Sequence, residues 1–368
     1  MRSFNPNRLD LAMRARGITK RALAAHLDCS ERLIGYHLKG EKSPEAYMGI
    51  YATFFHYPES FFCADDVEEV PSNSVSFRAL SKITKREIDR RIVSSSLIVD
   101  SFDTWLHTHY CLPLADVPEL CEDILWLRDP STRDSTRPER AADLVRGTWK
   151  IGAAPIADLL VLLEYHGVRI YSLPDDLDCS EAFSFWRNGI PFIFVDYRKT
   201  AERIRLDLAH ELGHLVMHRD IDRVEDAEKR SIMECEANSF AGCFLMPKVS
   251  FMHAADGHTS WNGVLACKKY WKVSFLACIH RMHELRLISD WLYTKYNMQI
   301  SSAGRTIEPE ECPKETSQIY PKVMDLMRQD GITLESVATQ NNLYVDELRS
   351  YLFGCDTTES GYPELRLV

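Results

Sequence analysis

The sequence predicts a mostly α fold with a small β-sheet (α+β), and three features carry that prediction. Apolar residues recur at helical spacing over most of the chain, with short turns between the runs. Residues 182–195 read instead as two strands joined at Asn188-Gly189, a strong hairpin signal. The hairpin leads into a further helix carrying His210-Glu211-Leu212-Gly213-His214, which stacks two imidazoles on one face, one turn apart.

Composition bounds the rest. A chain of 368 residues, 45% hydrophobic and 27% charged, is long enough for about two or three domains, each with its own core. It has no run of about 18 apolar residues and no apolar leader after Met1, so no membrane contact and a cytoplasmic location are expected. Eleven cysteines without a Cys-x-x-Cys pair suit reduced thiols, most of them small core residues. The net charge of −10 argues against nucleic acid bound along the whole surface. Residues 1–62, however, hold nine Lys/Arg against six Asp/Glu, or +3, which leaves −13 for the remainder. A mildly basic module on an acidic body fits a small DNA-reading unit.

That unit is assigned to residues 1–64. Arg8 to Arg16 carries Leu9, Ala12 and Met13 at core spacing before Gly17 stops it. Thr19 then caps Lys20–Leu27, Asp28-Cys29 turns, and Ser30 caps a helix with Leu33, Ile34 and Leu38 inward and Glu31, Arg32, Tyr36 and Lys39 outward. Two short helices joined by a tight turn form a helix-turn-helix. The segment resembles the phage-repressor type (XRE-like) of that domain, except that Asp28 stands where the family usually has Gly. The resemblance implies binding to double-stranded DNA, with Arg21, Arg32, Tyr36 and Lys39 as phosphate or base contacts, and a homodimer that reads two half-sites.

Residues 65–137 are read as a connector. Asp65–Ser74 is acidic, with Pro and Ser, and looks like a linker. Ile88, Ile92, Leu97, Ile98, Phe102 and Trp105 predict one long amphipathic helix from Lys85 to about Tyr110.

A third unit, 138–300, holds the chemistry. Helices are expected over 141–150 and 156–166, a strand at Val168–Tyr171, then the hairpin; a strand pair directly before a His-Glu-x-x-His helix resembles the arrangement of zinc proteases, which implies an open edge that pairs with a substrate backbone. The active helix is predicted over about Ala201–Met217, with Ile204, Leu208, Leu212 and Leu215 buried and Asp207, His210, Glu211 and His214 on the other side. His210 and His214 can reach one metal ion, zinc above all, and Glu211 lies one step round, placed to take a proton from an attacking water. Asp207 would support a ligand from behind.

A catalytic zinc site wants a third protein ligand. The helix around Glu234-Cys235-Glu236-Ala237-Asn238 lies twenty residues on, and its apolar stripe (Met233, Ala237, Phe240, Ala241, Phe244) has Glu234 and Glu236 on opposite flanks. Periodicity leaves both open. Asn238, four residues after Glu234 and placed to hydrogen-bond a ligating histidine, favours Glu234, with Glu236 second. His218 is read as a helix-end residue or a transition-state donor, and His258, His280 and His283 as packing or surface residues.

Together, Leu208–His214, Glu234-x-x-Ala237-Asn238-x-Phe240-Ala241 and Leu245-Met246-Pro247 resemble the ImmA/IrrE family of metallopeptidases over roughly 140–300. The resemblance implies zinc held by His210, His214 and Glu234, Glu211 as general base, and cleavage of a helix-turn-helix repressor, or of the chain itself, to control stress-response or mobile-element genes. The alternative is a regulator whose zincin-like domain senses a ligand or partner and cleaves nothing. Residues 301–368 form a last helical module. Its 332–352 stretch has helix-turn-helix spacing, but Asp346 and Glu347 stand where a DNA reader has basic groups, which favours a packing or interaction role.

Overall fold

The computed structural model describes residues 3–71, 76–77, 84–120, 124–175, 177, 182–219, 221, 226–304 and 308–353. The chain is mostly α with a small mixed sheet, as its periodicities predict.

The N-terminal unit comprises α1 (Pro6–Ala15), α2 (Lys20–His26), α3 (Glu31–Leu38) and α4 (Met48–Phe55). The side chains of Asn5, Thr19 and Ser30 accept from backbone N–H groups at the starts of the first three helices, each cap being worth about 1 kcal/mol. Asp28 takes φ 48°, a left-handed turn that a short polar side chain tolerates, and so joins α2 to α3. Ile34 is buried as expected, while Leu33 and Leu38 are half-buried. The remaining inward position belongs to His37, which bonds the buried Tyr51 hydroxyl at 2.7 Å.

β1 (Ser76–Phe77) precedes α5 (Lys85–Ile98), which starts at a capping box between Thr84 and Glu87. The single helix expected from Lys85 to about Tyr110 is found as unbroken helical backbone over 85–109, with one π-type turn at Val99–Asp103 between α5 and α6 (Thr104–His109). At that turn Ser101 donates to the Leu97 carbonyl and Thr104 to that of Val99.

Next come α7 (Arg137–Thr148), α8 (Leu159–Tyr165), β2 (Arg169–Ser172), β3 (Phe183–Arg187), β4 (Ile190–Val195), α9 (Ala201–Met217) and α10 (Ala227–Leu245). Asn188 and Gly189 both have positive φ, 53° and 77°, the conformation a two-residue hairpin turn demands. The sheet order is β1-β3-β4-β2, with β3 antiparallel to both neighbours and β2 parallel to β4. The β3 edge, expected to be open, therefore carries two residues of the connector.

Strand periodicity makes this sheet the wall between two cores. Tyr171, Phe183, Phe185, Phe192 and Phe194 face a core built with the N-terminal unit, α5, α6 and the C-terminal helices α15 (Ile319–Gln329), α16 (Leu334–Gln340) and α17 (Val345–Tyr351). Ile170, Ile193 and Val195 face the other, built with α7 to α10 and with α11 (Lys248–Ala255), α12 (Trp261–Trp271), α13 (Phe275–Glu284) and α14 (Asp290–Ala303).

The acidic residues of α17 meet the N-terminal unit. Glu347 accepts from Arg16 at 2.7 Å, and Asp346 lies 2.6 Å from His56 Nε2. Glutamates also fasten the stretch before α15. Glu308 accepts the Phe275 N–H, Glu311 that of Ala201 at the head of α9, and Glu315 those of Leu159 and Leu160. Glu164 in turn accepts the N–H groups of Gln318 and Ile319. Carboxylates at helix N-termini satisfy donors that lack intrahelical partners.

Of the cysteines in the described residues, all are free, but only Cys243, Cys267 and Cys278 are buried. Most are therefore not core residues, contrary to expectation, because positions such as Cys111 and Cys235 fall on exposed backbone. Among the described residues no helix is long and apolar enough to cross a membrane.

Candidate metal centre

Helix α9 runs from Ala201 to Met217 and is buried almost throughout. Ile204, Leu208, Leu212 and Leu215 enter the core, which turns His210 and His214 toward α10. Gly213 permits the approach: a Cβ built there would stand 2.9 Å from the Phe240 ring and 3.3 Å from Ala237 Cα. α9 and α10 meet where only glycine fits.

Across that contact the Nε2 atoms of His210 and His214 lie 3.1 Å apart, and the Glu234 oxygens lie 3.2 Å from the first and 3.5 Å from the second. Four tetrahedral donors at zinc–ligand distances of about 2.0–2.1 Å are mutually about 3.3 Å apart. The donor set, two imidazoles and one carboxylate, thus fits zinc in kind and in spacing. Burial raises the Glu234 carboxyl, but the neighbouring imidazoles of His210 and His214 outweigh it and hold the group well below the usual carboxylate range.

Glu236 takes a different place. It is fully buried, its Oε2 accepting from Arg137 Nη1 at 2.6 Å and lying 2.9 Å from His218 Nε2. His218 ends α9 with its Nδ1 3.0 Å from that of His214. Burial pushes the His218 imidazole down to about 4, against the opposing pull of Glu236, so the ring is neutral near pH 7. One consistent proton pattern results. His218 Nε2–H donates to the carboxylate and His218 Nδ1 accepts from His214 Nδ1–H, a pattern that leaves the His214 Nε2 lone pair free to ligate a cation. His218 thus lies behind the His214 ring, which removes the reading of it as a transition-state donor.

Glu211 faces β3. The Ser184 hydroxyl donates to Glu211 Oε2 at 2.7 Å, and alternation along β3 accounts for it, since Phe183 and Phe185 point the other way. Burial pushes the Glu211 carboxyl up to about 7, opposed by His214 and by the Ser184 bond. Ser184 and Arg137 carried no sequence signal as site residues, and the spacing that singles out His218 does not put it behind a ligating ring. Each is defined by a partner at least 18 positions away.

Asp207 lies buried one turn before Glu211 and accepts from Lys199 Nζ at 2.5 Å and Arg203 Nε at 3.1 Å. Asn238 is exposed and its Nδ2 donates to the Glu234 carbonyl at 2.8 Å, bracing the turn of α10 that carries Glu234. In the N-terminal unit Arg21, Arg32 and Lys39 are exposed, whereas Tyr36 is half-buried and its hydroxyl accepts from Arg32 at 2.6 Å. His258 and His280 lie on the surface, and His283 stacks on Tyr293.

A helix with His-Glu-x-x-His is backed by a small sheet and met by a second helix bearing a glutamate. Residues 163–283, from α8 to the end of α13, match the family Peptidase_M78, described as the IrrE N-terminal-like domain, and that family points to a metallopeptidase-type fold. No curated protein matches the chain.

Proposed function

We propose that this chain is a zinc-dependent metallo-endopeptidase joined to a DNA-binding unit, acting as a transcriptional regulator that cleaves a helix-turn-helix repressor or itself. The observation that carries the reading is the convergence of His210, His214 and Glu234 beside a buried Glu211. The match to the peptidase family over the same residues supports it.

His210, His214 and Glu234 would hold the ion. Bound zinc supplies Lewis acidity, easing ionisation of water and polarising a peptide carbonyl. Glu211, buried beside His210 and His214, accepts the proton of the attacking water and delivers it to the departing amine. Ser184 fixes the carboxyl that does so. Glu236 and His218 hold the ring of His214 in one tautomer. DNA binding by the N-terminal unit is supported by the α2-turn-α3 arrangement and by the exposed cations Arg21, Arg32 and Lys39.

The test is to incubate the zinc-loaded chain with a co-encoded repressor-type protein, and alone, then follow cleavage by mass spectrometry. Glu211→Gln is expected to retain zinc and abolish turnover; cleavage by that variant would remove Glu211 from the mechanism.

A further inference from the structure

Described residues of the connector meet both ends of β3. Glu68 meets Arg187 at the far end of that strand, at 3.0 Å, and Arg187 is held from the other side by Asp100 at 2.8 Å. Val70 is buried and its N–H donates to Ser96 at 2.8 Å, which fixes the chain against α5. Ser76 and Phe77 then pair antiparallel with Ser184 and Phe183 at the near end. Two anchor points therefore give the connector the direction opposite to β3.

The near end is the chemical end. Ser184, opposite Ser76, is the residue whose hydroxyl holds Glu211 at 2.7 Å. An extended protein segment brought to Glu211 would gain main-chain hydrogen bonds by adding to this edge, and the edge has only one free row of N–H and C=O groups to offer. Both cannot have it.

We propose that the connector, through residues 76–77, occupies the β3 edge beside Glu211 and competes for it with an extended protein segment. This rests on the peptidase reading for the identity of the competing segment, but the seat itself does not. A two-residue ladder is short enough to be displaced. The consequence is a site whose apparent affinity for substrate is reduced by the fraction of molecules in which the connector is seated.

The test uses the full chain carrying Glu211→Gln, so that nothing is cut. The probe is a fluorescein-labelled peptide with the sequence of residues 69–82, added to this parent and to the same chain with S76P/F77P. Proline removes the N–H groups the ladder needs. The variant is expected to bind the probe about tenfold more tightly, as judged by anisotropy, and backbone amides of residues 183–185 are expected to exchange faster with deuterium. Equal probe affinity together with unchanged exchange overturns the proposal. Should S76P/F77P also lose protection in α9, S76G/F77G carries the same two readouts. Probe binding requires no turnover, so docking of the probe by these variants together with no protein cleaved by the zinc-loaded chain that keeps Glu211 contradicts the peptidase reading and leaves this one standing.

Discussion

The Nδ1 atoms of His214 and His218 lie 3.0 Å apart, and behind His218 stands Glu236, itself bound to Arg137. A ligating imidazole is thereby oriented by a neutral second histidine and a buried carboxylate. His218→Phe keeps the volume and the apolar contact with Trp126 but removes both bonds. Zinc affinity is expected to fall about 10–100-fold, measured by competition with a chromophoric chelator. An unchanged affinity would mean that His218 only packs.

Gly213 sets how closely α9 and α10 approach, because a methyl group there meets both Phe240 and Ala237. Gly213→Ala should gain helix propensity and still lose about 1–3 kcal/mol through overpacking. Urea unfolding checks the stability and zinc titration the site, since separating the helices moves Glu234 from the histidines. A variant as stable as the parent, with the same zinc affinity, would show that the contact is slack.

Glu164 links α8 to the start of α15, and burial raises its carboxyl despite hydrogen bonds from Ser317, Gln318 and Ile319. The sign follows from linkage. A raised carboxyl holds its proton more tightly folded than unfolded, so its contribution is complete below the ordinary value of 4.5 and is lost as pH rises through the raised one. Relative to Glu164→Gln, the parent chain should gain stability as pH falls from about 7 to about 4.5. A difference independent of pH contradicts this.

Much of this arrangement was legible in the sequence where one period or one turn decides. The hairpin at Asn188-Gly189, the bounds of the helix over 201–217, and the left-handed Asp28 all follow from local rules. The choice between Glu234 and Glu236 did not follow from periodicity, since both flank the same apolar stripe. It depends on Arg137, 99 residues away in sequence from Glu236, which gives that carboxylate a buried cation and leaves Glu234 for the histidines. The acidity of Asp346 and Glu347 is likewise explained only by Arg16 and His56 on the N-terminal unit. The π-type turn at Val99–Asp103 was hidden because the chain stays helical on both sides of it and through it. Long-range pairing leaves no local trace.

The most direct test of the zinc-peptidase account is the zinc content of the purified full chain, measured by inductively coupled plasma mass spectrometry beside Glu211→Gln and Glu234→Ala. The account predicts one zinc per chain in the parent and in Glu211→Gln, and little or none in Glu234→Ala. Zinc absent from the parent, or retained in full by Glu234→Ala, would contradict it.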